Sequence, residues 1–292
     1  MDIVITYVDG NDPLWQQDYA EHAGVPVMQK RFRDWGTLKY LLRGIENCMP
    51  FIRNVYLVVS RRSQVPGWVD DSVLKVVLHE DFIPGEYLPT FNCNTLEMHL
   101  HRIEGLDEEY LYFNDDMFPV APVREDDLFR GGKGVIYFSR HWFASGMYKK
   151  ICRNSDRAAR ELLGMPSPLY FIRPQHICSP MLRSVCEEVY SKSVKEVEAS
   201  STRTRTDANC NQYLFMDYMY CKGLIIPEKI SNRHFSVAVA SAEKIASFIR
   251  KPDRALCCIN DVNISDKKFK YMRDTIVQAF EDVFPNKSKY EL

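Results

Sequence analysis

Short apolar runs rich in β-branched residues alternate with amphipathic segments through the first half of the chain, and this alternation constrains the fold most strongly. The run at 3–8 ends in a dense turn signal, Asp9-Gly10-Asn11-Asp12-Pro13, and is predicted to be a buried first strand. Further strands are predicted at 55–59, 74–78, 110–113 and 135–138. Strands separated by helices in this order form a mostly parallel sheet that is covered on both faces.

Helical periodicity accounts for segments between the strands and for much of the chain beyond residue 140. An apolar stripe over 38–45 predicts one helix, and a capping pair of Asn94 and Glu97 predicts a second. Similar stripes predict helices at 182–190 and 269–283. We expect an α/β core over 1–140 and a mainly helical part over 141–292, which together form one compact catalytic domain.

The composition excludes several classes of protein. The 292 residues are 46% hydrophobic, with 38 basic and 39 acidic side chains and a formal net charge of −1. This balance excludes a disordered tail, a collagenous repeat and a coiled coil, because each of these needs a skewed composition. It also argues against a protein that coats nucleic acid, so no nucleic-acid partner is expected.

The cysteines and the first residues bear on the cellular compartment. The nine cysteines include no CxxC pair, which argues against a zinc ribbon, and their odd number indicates free thiols in a reducing compartment. No apolar run approaches the ~20 residues of a membrane span, and the acidic start at Asp2 is unlike a signal peptide. We therefore expect a cytoplasmic protein.

Two acidic turns follow predicted strands, at 9–12 and at Asn114-Asp115-Asp116. In an open parallel sheet, ligands bind beyond the carboxyl ends of the strands. Adjacent carboxylates at that edge suit a divalent cation that also holds a substrate diphosphate. A solvated turn is the alternative, because Asn and Asp are ordinary turn residues. The residues alone leave both interpretations open.

Basic and histidine side chains supply weaker signals. Arg31 and Arg33 precede a predicted helix and could form an anion site, although a solvated charged loop is more common. His99 and His101 are two residues apart and point in different directions, so they do not form a chelating pair. His176 lies in a polar loop, where a histidine could serve as an acid or a base.

Four segments of the sequence together resemble the Stealth family, the hexose-1-phosphate transferases of bacterial capsular polysaccharide synthesis. This family includes the catalytic core of the animal GlcNAc-1-phosphotransferase. The segments occur in the family's order and span nearly the whole chain. They cover residues 2–13, residues 31–116, the region from His176 and Arg183 to 203–207, and residues 258–291. The second segment is long enough to make chance a poor explanation, whereas the third matches loosely.

The resemblance implies a Rossmann-like, glycosyltransferase-A-like sheet that binds a nucleotide sugar. It implies that hexose-1-phosphate, for example GlcNAc-1-phosphate, passes from a UDP-sugar to a hydroxyl of a capsular or cell-surface polysaccharide, so that UMP leaves. Mg²⁺ or Mn²⁺ is the implied cofactor. A peripheral contact with a capsule-assembly complex at the inner face of the membrane is a further option. The sugar, the acceptor glycan and the oligomeric state stay open.

The resemblance also implies roles for individual residues. The catalytic residues would be Asp115, Asp116, His176 and Arg205, and the metal ligands would be Asp115, Asp116 and Asp261. The nucleotide pocket would be lined by Tyr7, Val8, Asp9 and Gly10, and Arg205 and Arg33 would clamp the diphosphate. The remaining substrate-binding residues would be Arg31, Asn92, Asn94, Glu97, His101, Arg102, Asn114, Arg183 and Asn260. For Asn94 and Glu97, helix capping is an equally good interpretation.

Two other functions remain as alternatives. A metal-dependent glycosyltransferase that attacks the anomeric carbon and releases UDP explains the fold and the Asp pair equally well. It does not explain the other matching segments. A catalytically inactive binding module would be expected to lose the charged residues of these segments, yet all of them are present: Asp115, Asp116, His176, Arg205 and Asp261.

Overall fold

The computed structural model describes residues 1–24 and 32–292. Strands and helices alternate through its first half. The strands are β1 (Asp2–Thr6), β2 (Asn54–Val59), β3 (Lys75–Leu78), β4 (Glu109–Asn114), β5 (Met117–Pro119), β6 (Phe129–Arg130), β7 (Lys133–Val135), β8 (Phe138–His141), β9 (Phe171–Pro174), β10 (Ser179–Leu182), β11 (Ile225–Ile226), β12 (Asn232–Ser236) and β13 (Leu256–Asn260). The helices are α1 (Pro13–His22), α2 (Leu38–Cys48), α3 (His79–Phe82), α4 (Cys93–His99), α5 (Gly146–Leu162), α6 (Arg183–Lys192), α7 (Val194–Ser200), α8 (Tyr213–Cys221), α9 (Ala242–Arg250) and α10 (Asp266–Val283).

A five-stranded sheet in the order β10-β4-β1-β2-β3 forms the centre of the fold. Its first four strands along the chain are parallel, and β10 is antiparallel to β4. Consecutive residues Ile3, Val4 and Ile5 of β1 are all fully buried, so both faces of the sheet are covered. The chain runs from β1 to β2 and β3, then returns to place β4 on the other side of β1. The strand order therefore reverses between β1 and β4, where open α/β sheets bind ligands.

The segments before and after residue 140 each contribute a strand to a sheet formed mainly by the other segment. β10 from the second segment completes the central sheet, whereas β5 from the first segment pairs with β13 in a sheet of order β12-β13-β5. A continuous hydrophobic core includes residues of both segments, among them Phe118 of β5 and Phe280 of α10, whose rings lie 4.7 Å apart. The two segments are therefore packed as one unit around a shared core.

The structure confirms the Rossmann-like α/β class and corrects two local predictions. Residues 135–138 do not form one strand, because the chain changes partners there: β7 pairs with β6 and β11, and β8 pairs with β9. The helix predicted to begin at Asn94 begins at Cys93, and Asn92 is its cap. The Asn92 side chain accepts a hydrogen bond of 3.0 Å from the Asn94 N–H, so Asn94 lies inside the helix.

None of the nine cysteines, all of which are among the described residues, forms a disulfide. Burial raises the pKa of the Cys48 thiol to about 11, which keeps it protonated and unreactive at neutral pH. Within the described part of the chain, no helix combines the length and the apolar character that crossing a bilayer requires.

Candidate active site

A cavity of about 1330 Å³ opens at the carboxyl ends of β1 and β4, where the strand order reverses. Its lining includes Tyr7 and Val8, which follow β1, Asn114, which ends β4, and Asp115 and Asp116, which follow β4. Residues of the second half of the chain close the opposite wall. Cavities for one small ligand usually measure about 300–1,000 Å³, so this one exceeds the usual size.

Carboxylates that each keep one oxygen without a partner among the described residues line the part of the cavity beside β4. The Asp116 side chain accepts a hydrogen bond of 3.4 Å from the Cys258 thiol through Oδ2, while its buried Oδ1 has no partner among the described residues. Asp261 accepts a hydrogen bond of 3.0 Å from the Trp35 indole N–H through Oδ2. Its buried Oδ1 likewise has no partner within the described chain. Burial raises the pKa of Asp116 to about 6, and burial with the charge of Asp116 raises the pKa of Asp115 to about 7.

This acidic group has the donor chemistry of a magnesium or manganese site. Its ligands are oxygens, and both Asp116 and Asp261 hold one carboxylate oxygen that has no other partner. In the described chain the three carboxylates do not bring their ligand atoms within 4.8 Å of one another, unlike a closed protein site. Mg²⁺ is usually bound through one or two carboxylates together with substrate phosphates, so the residues fit an ion that arrives with a diphosphate.

Arg33 supplies positive charge on the side of the cavity formed by α10. Its guanidinium carbon lies 4.2 Å from the centroid of the Phe269 ring, and its Nη1 lies 3.5 Å from Asp266. The buried Nε and Nη2 have no hydrogen-bond partner among the described residues. The ring holds the guanidinium in place, and the two unpaired N–H groups are available to an anion.

Arg205 supplies a second guanidinium, held against α4. It donates a hydrogen bond to the Cys93 sulfur, and its buried Nε is unpartnered in the described structure. Close to it, buried Glu97 accepts bonds of 3.3 Å from the Tyr112 hydroxyl and from the Gln212 N–H. Burial raises the pKa of Glu97, and the charge of Arg205 opposes this shift. Glu97 thus anchors the wall of the cavity and holds Arg205 electrostatically.

The asparagines of α4 line the cavity and also hold the 200–211 segment in place. The Asn92 amide donates to the side-chain oxygen of Asn209 at 3.1 Å, and the Asn94 amide donates to the same oxygen at 3.4 Å. Because Asn92 also caps the helix, both of its polar ends are satisfied within the protein. These residues therefore position Arg205, which lies on the same segment.

His176 follows β9 and lines the cavity. Its ring is 5.8 Å from the ring of His234 and 6.5 Å from that of Tyr148. Burial, then the neighbouring His234 and Arg173, lower the pKa of His176 to about 4. The imidazole is therefore neutral at physiological pH and can accept a proton.

Most of the other predicted residues lie at the cavity, but the turn after β1 is partly an exception. Asn114 and Asn260 line the cavity, whereas Asp9 and Gly10 lie outside the lining. Asp9 instead accepts a bond of 2.8 Å from the Asn11 N–H, which closes the turn. A Cβ on Gly10 would lie 2.2 Å from the backbone oxygen of Phe32, so a close backbone contact requires glycine there.

Three other predicted residues, His101, Arg102 and Arg183, do not line the cavity. The chain leaves α4 in a tight turn that directs His101 behind the cavity, where its ring packs 4.9 Å from that of Tyr190. Arg102 donates a hydrogen bond of 3.1 Å to the hydroxyl of the same tyrosine. Arg183 is exposed at the start of α6. Arg31 lies outside the described residues.

Other lining residues were not found from the sequence. Many of them come from the second half of the chain, and the most polar of these are Tyr148 of α5, Arg173, Lys229, His234 and Arg254. Arg173 could have been found, because it opens the same Arg-Pro-Gln-His stretch as His176. The others carry no local motif; the pairing of β12 with β13 places His234.

The chain is similar to known proteins in family, in sequence and in structure. The family of Stealth protein CR2, conserved region 2, matches residues 31–136. The receptor polysaccharide phosphotransferase WefC of Streptococcus oralis is 30% identical, over 100% of this chain and 99% of the relative. The capsular polysaccharide phosphotransferase WcwK of Streptococcus pneumoniae is 29% identical over 100% and 99%. Among solved structures, the galactosyltransferase LgtC has a TM-score of 0.46 at 10% identity, covering 97% of this chain and 96% of LgtC.

These two phosphotransferases align over 99% of their length, and the matched conserved region contains the acidic turn at 114–116 together with all of α4 and the turn that follows it. The chain therefore belongs to the Stealth family.

Proposed function

We propose that this protein transfers a sugar 1-phosphate from a nucleotide-diphosphate sugar, namely a UDP-sugar, to a hydroxyl group of a growing polysaccharide. The acceptor oxygen forms a bond to the β-phosphorus, the bond between that phosphorus and the bridging oxygen breaks, and UMP leaves. The acceptor proton passes to a protein base. The product is a phosphodiester that joins the sugar to the glycan.

One observation carries the proposal. The guanidinium groups of Arg33 and Arg205 keep buried N–H groups that have no partner among the described residues, in one cavity that also contains the unpartnered Oδ1 of Asp116. Guanidinium groups bind phosphate oxygens through directed hydrogen bonds, and phosphoryl transfer is accelerated mainly by charge placed around the transferred group. The polysaccharide acceptor is supported by the names of the relatives, which are phosphotransferases of receptor and capsular polysaccharides.

In this scheme the donor binds where β1 and β4 end. Tyr7 and Val8 contact the nucleotide, and Arg33 and Arg205 hold the diphosphate from two sides. Asn114 binds a phosphate oxygen or a sugar hydroxyl. Asp115, Asp116 and Asp261 would hold Mg²⁺ or Mn²⁺, which when bound neutralises diphosphate charge. Without a cation, the same carboxylates would repel the donor.

His176 is the proton acceptor in the proposal. It is neutral at physiological pH because burial lowers its pKa to about 4. It lies near the carboxyl end of β4, because a ring nitrogen is within 4.8 Å of the Cys258 sulfur, which donates a hydrogen bond to Asp116. A neutral imidazole can take the acceptor proton as the new P–O bond forms. The charge of nearby Arg173 disfavours the imidazolium, so the proton would be released quickly after transfer.

The fate of the β-phosphate tests the reaction. With β-³²P-labelled UDP-sugar and an acceptor glycan, the label is expected in the glycan as a phosphodiester and the released nucleotide is expected to be UMP. Label recovered wholly as UDP, with an unlabelled glycan, would overturn the proposal in favour of a glycosyltransferase. A panel of UDP-sugars in the same assay identifies the transferred sugar.

Matched variants connect the reaction to the cavity. His176→Ala is expected to reduce transfer by about 10²-fold or more, in the range of lost acid–base catalysis. Arg183→Ala is the control, because this arginine belongs to the same sequence segment but is exposed outside the cavity. Its rate is expected to stay within about twofold, as is usual for an exposed side chain away from the site. Equal losses in both variants would contradict the role of His176.

A further inference from the structure

A second group of potential ligands lies beside the acidic group: His176 and His234 line the cavity, and Cys258 is buried next to them. The Nδ1 or Nε2 atoms of His176 and His234 and the sulfur of Cys258 all lie within 4.8 Å of one another. Ligand atoms of a tetrahedral zinc ion lie about 3.3–3.7 Å apart, given bond lengths of about 2.0–2.3 Å. Small side-chain rotations would therefore bring the three donors to bonding distance. In the described chain, no other three residues of these types meet the same condition.

Regular backbone pairing holds two of these donors together. His234 of β12 and Cys258 of β13 are direct partners in a parallel register, so their side chains project from the same face of the sheet. Both strands pair along their length, from Asn232 opposite Leu256 to Ser236 opposite Asn260. The spacing of the imidazole and the thiol is thus a property of the sheet and not of a loop.

The third donor is attached to the same sheet through an amide. The Gln175 side chain forms two hydrogen bonds with Ile230, just before β12. It donates one of 2.8 Å to the carbonyl of Ile230 and accepts one of 3.0 Å from the N–H of Ile230. The side-chain amide of Asn232 in β12 also donates a hydrogen bond of 3.5 Å to the carbonyl of His176. The backbone on either side of the His176 side chain is therefore fixed relative to His234, as a preorganised site requires.

The neighbouring charges balance across this group. Arg173 lies close to both imidazoles and opposes an added cation. On the other side, the carboxylate of Asp116 accepts the hydrogen bond of Cys258 and favours a cation. When a metal binds, the thiol proton is released to solvent and the thiolate becomes the ligand.

We propose that His176, His234 and Cys258 form a site for a thiophilic divalent cation, Zn²⁺, which blocks the active site when it is occupied. Two imidazoles and one thiolate are ligands that zinc prefers over Mg²⁺, which binds oxygen. The fourth position stays open to water or to a phosphate oxygen of the donor. This site is distinct in ligand type from the carboxylate site, so the two cations need not compete for the same atoms.

The block rests on the proposed function, because it assumes that His176 must accept a proton. A zinc ion occupies the lone pair of an imidazole nitrogen and adds positive charge beside Arg173, so a bound His176 could not serve as a base. Zinc binding itself does not depend on that assignment. Binding and inhibition are therefore measured separately.

Binding is tested on the full chain with Co²⁺ as a spectroscopic probe and Zn²⁺ in competition with a chromophoric chelator. Wild type is expected to bind one ion per chain and to show the thiolate-to-cobalt charge-transfer absorption. Cys258→Ser is expected to abolish that absorption and to weaken zinc binding by at least about 10²-fold, more than loss of an outer partner would cost. His234→Asn is expected to weaken binding while the fold is kept, because this histidine is exposed. Cys221→Ser, in α8 and outside the cluster, is the control that keeps the absorption.

The site is overturned if wild type shows no thiolate absorption or if Cys258→Ser and His234→Asn bind zinc as tightly as wild type does. Melting curves of each variant show that the fold is retained. Inhibition is then measured in excess Mg²⁺ and expressed relative to the zinc-free rate of the same variant. The zinc concentration for half-inhibition is expected to rise at least about tenfold in His234→Asn, in line with lost affinity. If zinc binds at the cluster without slowing turnover, the metal site stands and the role of His176 in the proposed function is contradicted.

Discussion

The thiol of Cys258 donates a hydrogen bond of 3.4 Å to the carboxylate of Asp116, across 142 positions of sequence. The two backbones are also in contact here, because the Ile259 N–H donates a hydrogen bond of 2.8 Å to the carbonyl of Asp116. The acidic turn after β4 is therefore attached to β13 through both a side chain and the main chain. This attachment places the carboxylate group and the histidine–cysteine cluster on adjoining parts of one cavity wall.

Asp116→Asn tests the acidic group. The substitution keeps the size of the side chain and removes its charge, so the rate of transfer is expected to fall by about 10²-fold or more, the cost of deleting one preorganised electrostatic group. The fold should be retained, because the buried charge is unfavourable in the absence of a cation. Transfer rates are measured in Mg²⁺ and in excess chelator. A variant with wild-type rates, or full wild-type activity in chelator, would contradict a cation held by Asp116.

The raised pKa of Asp115 predicts how stability depends on pH. In the folded chain the pKa of Asp115 is raised from the usual Asp value of 3.8 to about 7, so its carboxyl group stays protonated up to about pH 7. Stability from this group is present at low pH and is lost as the pH rises from about 4 to 7. Buried histidines such as His101, whose pKa burial lowers to about 3, change stability in the opposite direction. The comparison must therefore be made with a variant.

Melting temperatures of wild type and Asp115→Asn, both in chelator, isolate this contribution. The variant is expected to equal wild type near pH 4 and to be increasingly more stable up to about pH 7, because it does not have to ionise a buried carboxyl. A difference that is constant across this range would show that Asp115 titrates normally in the folded protein.

The pair of Arg205 and Glu97 predicts a non-additive pair of variants. Arg205→Ala leaves the buried Glu97 carboxylate without its nearest described opposite charge and is expected to lower the free energy of unfolding. Glu97→Gln added to that variant removes the uncompensated charge, so stability should partly recover. Transfer activity should not recover, because the guanidinium that holds the diphosphate is still absent. Purely additive changes in unfolding free energy would contradict the coupling.

Arg43 predicts a large stability effect far from the cavity. It donates two bonds of 2.8 Å to the Glu291 carboxylate and one of 2.7 Å to the carbonyl of Phe284, and its side chain is 5% exposed. Arg43→Ala leaves a buried carboxylate unpaired and is expected to cost about 3–5 kcal/mol of unfolding free energy, measured by urea titration. Arg124→Ala is the control, because its ion pair with Asp127 is exposed. Its denaturation midpoint should be almost unchanged.

The sequence by itself determined the elements whose pattern is local. The β-branched runs of β1 and β2, the apolar aromatic run of β4 and the apolar stripe of α2 are readable because burial on two faces or on one stripe leaves a pattern in the residues. The acidic turn at 114–116 was readable for the same reason, since it follows a strand whose end must lie at the ligand-binding edge of a parallel sheet.

Tertiary structure decided which side chains meet. His101 and Glu97 are four residues apart, yet Glu97 lines the cavity and His101 packs behind it, because the chain leaves α4 in a tight turn. His176, His234 and Cys258 carry no shared motif, and only the register of β12 with β13 and the Gln175–Ile230 contact bring them together. Local periodicity specifies which face of an element is buried, but the partner of that face depends on contacts between residues distant in sequence.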